Sequence, residues 1–384
     1  MQFWIVLIAA LLALNLGCTK KTDSQNSGAS DSGNKIMVGE VGSFTGDTAA
    51  FGIATHRGVE LATKELNEAG GLLGKQVEIV KYDNQGKEEE AATATNRLVT
   101  QHKVAAVLGE VASKRSKAMA PIAQSNKVPM ISPSSTNPEV TMIGDYIFRV
   151  CFIDPFQGEV MARFAWDHLK VKKVAVLRDV GEDYSVGLAD AFIETFKKLG
   201  GEIVLDISYT NKDMDFKAQL TSIRGKKPEA IFVPGYYTQV GLIARQAKEL
   251  GLKVPLLGGD GWDAPELLKI GGKAMEGNYF SNHYSQDDKS EVVQNFIKRY
   301  KEAYGEVPNG LAAQGYDSAL VLFDSIKRAG TIESKALRDA IAKTKDFQGV
   351  TGKISIDEKR NASKPAVVLK VEGGTFKFVT SINP

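Results

Sequence analysis

IMVGEV at 36–41, QVEIVKY at 76–82, VAAVLG at 104–109 and VPMIS at 128–132 are short runs of β-branched and aliphatic residues separated by longer mixed segments. Strands covered on both faces, as in a parallel sheet, read this way. The segments between them carry a helical stripe: Val59, Ala62, Leu66 and Ala69 recur three and four residues apart. The pattern then begins again with KVAVLRDV at 173–180, EIVLDISY at 202–209, AIFVPGY at 230–236 and VPLLGGD at 254–260. Two rounds of strand–helix alternation predict two doubly wound, Rossmann-like α/β lobes. AGGLLGKQVEIV (69–80) and LGGEIVLDI (199–207) echo each other, each closing a helix with glycines before the second strand of its round. Shared αβ-loop chemistry alone also produces such an echo.

Toward the C-terminus, 290–304 is amphipathic, with Val293, Phe296, Ile297, Tyr300 and Tyr304 on one face. Helices near 311–329 and 334–344 follow, then KISID (353–357) and a hairpin over 366–379. Helices after the second round imply a chain that returns to the first lobe and crosses again. Crossings are expected near 152–154, 282–284 and 352–356. Lobe 1 then comprises 35–152 plus 285–354, and lobe 2 comprises 153–284 plus 355–384. Three strands across a hinge permit bending and restrict sliding, the architecture of a clamshell binder.

Toward the N-terminus, residues 3–14 (FWIVLIAALLAL) are apolar throughout. A spanning helix needs about 20 such residues, so the run suits a signal-peptide core over 1–17. It ends in Leu16-Gly17-Cys18, as at a lipoprotein processing site, although no Lys or Arg precedes it. An uncleaved anchor or an ordinary secretory signal is the alternative. The Ser/Asn/Gly-rich stretch that follows makes 18–34 a lipid anchor and flexible tether. The folded part is therefore expected from Lys35 onward, on the periplasmic or outer face of the cytoplasmic membrane.

Lys+Arg is 48 against Asp+Glu 46, a balance that argues against a nucleic-acid partner. The two cysteines, Cys18 and Cys151, are too few for a disulfide framework or a structural zinc site. The four histidines have no metal spacing, so no metal or cofactor is expected. G-x-x-x-x-G-K-[ST], G-x-S-x-G, C-x-x-C and H-E-x-x-H are all missing, and no catalytic residue is assigned.

The loops at the carboxyl ends of the strands remain, where open α/β sheets bind ligands. LGEVAS (108–113) puts Ser113 at a helix N-terminus, whose hydroxyl and free N–H groups suit a carboxylate, or serve only as a cap. SPSST (132–136) brings Ser134 and Thr136 to the same mouth. GEDY (181–184) and PGYY (234–237) place Tyr184 and Tyr236 at the equivalent edges of the second lobe, and GGDGWD (258–263) places Asp260 between glycines.

Together with VGSFTGDTAAFG (41–52), LNEAGGLLGKQVEIVKYDN (66–84) and FRVCFIDPFQG (148–158), these loops resemble the leucine/isoleucine/valine-binding proteins. Those are type I periplasmic-binding-fold components of ABC importers, and the resemblance spans 36–380. It implies that Ser113, Ser134 and Thr136 hold the carboxylate of an amino acid. It also implies that Tyr184 and Tyr236 close over the ligand, Asp260 faces its ammonium and Phe51 floors the side-chain pocket. Trp262 adds bulk beside the acid. Asp260 replaces the glutamate of the best-known leucine binders, and Phe51 lacks a phenol, so a γ-amino or aromatic ligand stays open beside a branched-chain one. The resemblance implies a membrane permease and an ATPase as partners, with membrane attachment through the lipid alone and no enzymatic activity. A ligand-sensing receptor of the same fold is the alternative.

Overall fold

A computed structural model describes residues 35–383, so the signal segment, Cys18 and the tether lie outside the described residues. In the first half of the chain, β1 (Lys35–Gly42), β2 (Gln76–Asp83), β3 (Val107–Leu108), β4 (Met130–Ser132) and β5 (Ile147–Arg149) form a sheet in the order β2-β1-β3-β4-β5. All of its pairings are parallel. Helices α1 (Ala49–Glu68), α2 (Glu88–Thr100), α3 (Ser113–Ser125) and the short α4 (Glu139–Met142) connect these strands. The apolar residues of β1 divide between two clusters: Ile36 and Val38 join one, and Val41 joins the other. Both faces of the sheet are thus covered, as its unbroken apolar runs require.

After α5 (Asp154–Arg163) come β6 (Lys173–Asp179), α6 (Asp183–Lys198), β7 (Glu202–Tyr209), α7 (Lys217–Gly225) and β8 (Ala230–Phe232). Next are α8 (Tyr237–Glu249), β9 (Leu256–Gly258), α9 (Pro265–Gly271) and β10 (Tyr279–Asn282). These strands repeat the first arrangement as β7-β6-β8-β9-β10, again parallel. The glycine-rich echo therefore precedes equivalent strands, β2 and β7. The chain is two doubly wound α/β lobes.

Helices α10 (Glu291–Tyr304), α11 (Gly310–Ala329) and α12 (Ser334–Ala342) pack on the first sheet through Phe296, Leu322 and Ile341. Helices α1 and α11 cross backbone to backbone. A Cβ on Gly58 would lie 2.0 Å from the Ala312 carbonyl oxygen, and one on Gly315 would lie 2.2 Å from that of Thr55. This crossing allows no larger residue, and it sets the start of α11 against the first lobe.

The chain passes between lobes three times. The first sheet ends at Arg149 and α5 packs in the second core, so the first passage is 150–153. Strand β10 ends at Asn282, and Tyr284 already packs in the first core. The third passage comes later than 352–356. Strands β11 (Phe347–Gly349), β12 (Gly352–Ile356) and β13 (Ala362–Ser363) form their own antiparallel sheet, and Val350, Ile354 and Ala362 pack in the first core. Only β14 (Ala366–Glu372) and β15 (Thr375–Ile382) join the second sheet, next to β10. Pairing with β13 holds KISID on the first lobe, an interaction that its own sequence does not display. Lys364, buried at this passage, donates to Thr351 Oγ1 and to the Val150 carbonyl oxygen at 3.4 Å, tying the third passage to the first.

Candidate functional site

The carboxyl ends of both parallel sheets face one another across a cleft. At its centre is a small cavity lined by Phe51, Val111, Ser134 and Leu311 from one side, and Tyr184, Tyr236, Asp260 and Gly261 from the other. Five of the residues expected from sequence therefore meet there: Phe51, Ser134, Tyr184, Tyr236 and Asp260.

On the first-lobe side, Ser113 opens α3, and its hydroxyl accepts the Asn137 N–H at 3.2 Å, linking the loops after β3 and β4. The loop between β3 and α3 is held from beneath by Glu110. Its Oε1 accepts from Ser43 and Asn84, each at 2.9 Å, and pairs with Arg115 Nε at 3.2 Å; its Oε2 accepts the Ala112 N–H at 2.5 Å. Thr136 Oγ1 is buried beside the Asp154 carboxyl, whose pKa its hydroxyl lowers.

The second-lobe side is aromatic and carries one charge. The Tyr184 and Tyr236 rings stack at 5.3 Å, and Phe51 meets Tyr236 edge-on at 5.3 Å. Tyr184 Oη accepts the Gly261 N–H at 3.1 Å, while Tyr236 Oη is buried without a partner. Burial raises both phenols well above their ordinary value, so they remain neutral hydroxyls. Gly261 must be glycine, since a Cβ would lie 2.9 Å from the Gly235 carbonyl oxygen and 3.0 Å from the Tyr236 ring.

Asp260 is held by two donors: Gln157 Nε2 reaches Oδ1 at 2.8 Å and His283 Nε2 reaches Oδ2 at 3.1 Å. Ser134 Oγ lies 3.4 Å from Oδ2, but its proton has a nearer acceptor in Gln314 Oε1 at 3.0 Å. His283 sits at the second passage, stacked on Phe152 of the first passage at 3.6 Å. Burial pushes its pKa down to about 4, so the ring donates as neutral imidazole and does not cancel the aspartate charge. Nearby Asp154, buried between Thr136 and Asp260, is pushed up to about 8 by burial, with Asp260 adding to the shift, and stays protonated at neutral pH.

Trp262 is not at the cavity. Its side chain is fully buried, Nε1 donates to the Val233 carbonyl oxygen at 3.0 Å, and the ring packs by Gly258 and Phe280 in the second core. The short helical turn at Asp260–Trp262 rotates the indole away from the acid it follows. Sequence reading misses Gln157, His283, Val111 and Leu311. Gln157 lies within the quoted FIDPFQG stretch, one turn into a Pro-started helix, which is a usable signal. Isolated His283 carries none.

The lobes also touch directly. Tyr237 Oη accepts the Ala50 N–H at 3.3 Å, Thr238 Oγ1 donates to the Asp47 carbonyl oxygen at 2.9 Å, and Lys117 pairs with Asp183 at 2.8 Å. Among the described residues, no group of three or more His, Cys, Asp or Glu side chains is placed to hold a metal, and no helix is long and apolar enough to cross a membrane. The arrangement can bind a small molecule with an anionic end at the first lobe and a cationic end at Asp260.

Residues 35–375 match the family profile of the periplasmic binding proteins. Leu/Ile/Val-binding protein homolog 3 of Brucella melitensis biotype 1 is 32% identical over 333 residues, which are 86% of this chain and 89% of that protein. The leucine binding protein LivK of Thermotoga maritima MSB8 superimposes with a TM-score of 0.88 at 44% identity, covering 91% of this chain and 99% of its own. LivJ of Streptococcus pneumoniae, solved with isoleucine, superimposes at 0.87 with 37% identity, covering 91% and 100%.

Proposed function

The chain belongs to the periplasmic binding protein family, in its leucine/isoleucine/valine-binding group, and from that premise we propose that it captures a branched-chain amino acid outside the cytoplasm for an ABC importer. One observation carries the reading: the buried Asp260 carboxylate and the Ser134 hydroxyl of the opposite lobe line a single cavity together with apolar and aromatic side chains. A zwitterion leaving water needs both its charges satisfied, because unpaired buried charge is costly. Asp260 takes the ammonium; Ser113, Ser134 and Thr136 take the carboxylate. Phe51, Val111 and Leu311 receive the side chain, and with Trp262 withdrawn this wall favours a branched aliphatic group over an aromatic one.

The same groups suit holding a ligand: Gln157 and His283 engage the two oxygens of Asp260 and fix the carboxylate in place. Lobe 1 (35–149 plus 284–363) and lobe 2 (154–282 plus 366–383) close over the ligand about the three passages, and the closed form is what a permease–ATPase pair engages. Residues 1–17 act as the signal and Cys18 carries the lipid, with 18–34 as tether. Intact-mass measurement of the native protein should find a diacylglycerol-modified Cys18 at the N-terminus; an unmodified terminus would sink the anchor. The ligand is tested by calorimetry of ligand-stripped protein against L-leucine, L-isoleucine, L-valine, L-phenylalanine and γ-aminobutyrate. Tight binding confined to the first three is expected, and preference for either of the last two overturns the assignment.

A further inference from the structure

Arg149, at the end of β5, is fully buried, yet it forms no ion pair with any described carboxylate. Burial pulls its pKa down from the ordinary arginine value, the direction for a cation short of counter-charge. Asp154, the carboxyl acting on it most strongly, stays protonated at neutral pH because burial pushes it up to about 8. An unpaired buried cation is strongly destabilising, so this one needs an explanation.

Its donors go to a single turn. Arg149 donates to the Ser135 carbonyl oxygen, to that of Asn137 at 2.8 Å, to that of Pro138 at 3.4 Å and to Thr141 Oγ1 at 3.4 Å. The Cys151 thiol donates to the same Ser135 oxygen at 3.3 Å. The turn leaves β4 and carries Ser134 and Thr136. In a trans peptide the carbonyl and the following N–H point in opposite directions. The Ser135–Thr136 peptide is trans, and with its oxygen turned to the guanidinium its N–H is directed to the opposite side. That N–H has no protein partner. Asp154 N–H, at 2.9 Å, holds the next carbonyl, that of Thr136.

We infer that Arg149 is a positioning residue for carboxylate recognition: the ligand carboxylate is its missing counter-ion, reached through the Ser135–Thr136 peptide group. The inference rests on the amino-acid-binding reading above. The guanidinium polarises the peptide, and a donor polarised from behind makes the stronger hydrogen bond in a dry site. The first lobe thereby presents positive potential to the ligand while placing no charged side chain in the cavity.

The experiment compares L-leucine with L-leucinol, which lacks the carboxylate, by competition calorimetry on the full chain. For Arg149→Gln the leucine-to-leucinol affinity ratio should fall roughly tenfold or more, as for a charge-assisted hydrogen bond lost. Arg149→Lys, which keeps the charge without the planar fork, should retain most of that ratio. A scaffolding role alone lowers both affinities together and leaves the ratio unchanged, which overturns the inference. Should either variant fail to fold, the wild-type protein decides. With nitrogen-15 threonine, the Thr136 amide proton should move downfield on adding L-leucine and stay put with L-leucinol; an amide indifferent to both overturns it. A wild-type protein that binds no L-leucine overturns the ligand reading as well, so the two failures are told apart.

Discussion

The two halves of the cleft handle charge in opposite ways. The second lobe puts a formal carboxylate, Asp260, at the cavity wall and fixes it with Gln157 and His283. The first lobe puts only neutral groups there, Ser134 with Thr136 and the α3 N-terminus behind, and keeps its cation, Arg149, out of sight beneath a loop. Recognition of the ammonium is thus concentrated on one side chain, whereas recognition of the carboxylate is spread over several dipoles. Concentrated recognition fails at a single substitution; distributed recognition erodes.

The sharpest way to break this contrast is Asp260→Asn. Removing one partner of a buried, hydrogen-bonded charge pair costs roughly 2–5 kcal/mol, about 30- to several-thousand-fold in affinity. Calorimetry and a melting curve on the same sample test it. Affinity near the native value would place the ammonium elsewhere, and a collapsed melting temperature would make the residue structural. Lys64→Ala, on an exposed face of α1, is the control and should leave binding alone.

A smaller loss is expected on the other side. Ser134→Ala removes one neutral hydroxyl from a clamp with several members, at about 0.5–1.5 kcal/mol, or roughly two- to tenfold. A loss as large as that of Asp260→Asn would show that the first lobe, too, depends on one residue, and the asymmetry would be gone.

A separate test, on stability rather than affinity, concerns Asp154, whose protonated state keeps negative charge away from the carboxylate half. Its folded-state pKa, near 8, lies above the ordinary 3.8. The stability it contributes is therefore full below 3.8 and declines as pH rises toward 8. Asp154→Asn lacks this decline, so its melting temperature relative to wild type should climb between pH 5 and pH 8. A constant offset across that range would mean that Asp154 is ionised in the folded protein.

Much of this is legible in the amino-acid sequence alone. Strands covered on both faces advertise themselves as unbroken aliphatic runs, and short loops after them name the ligand-binding edge. This is why Ser134, Tyr184, Tyr236 and Asp260 can be picked out together, whereas Phe51, inside α1, comes only from the family resemblance. What escapes depends on contacts between distant segments. Arg149 reads as a charged residue interrupting FRV until the carbonyls of 135–138 fold over it. His283 means nothing until β10 brings it beside Asp260. Trp262 looks like a ligand contact because adjacency in sequence says nothing about which way a turn points an indole. The late third passage stays hidden because β13 recruits KISID by backbone pairing, which leaves no side-chain pattern.

The contacts that protein groups alone make across the cleft have a further consequence. Lys117 with Asp183, Thr238 with Asp47 and Tyr237 with Ala50 hold the lobes together without help from a ligand. Apparent affinity equals intrinsic affinity scaled by the fraction of empty protein already competent to bind. Each such contact that survives in the empty protein raises the closed fraction and tightens capture. It also makes empty and loaded receptors look more alike to any partner that senses closure. Capture efficiency and signal contrast are therefore set against each other by the same few bonds, and a receptor tuned for scarce solute sacrifices fidelity in reporting whether it is carrying anything.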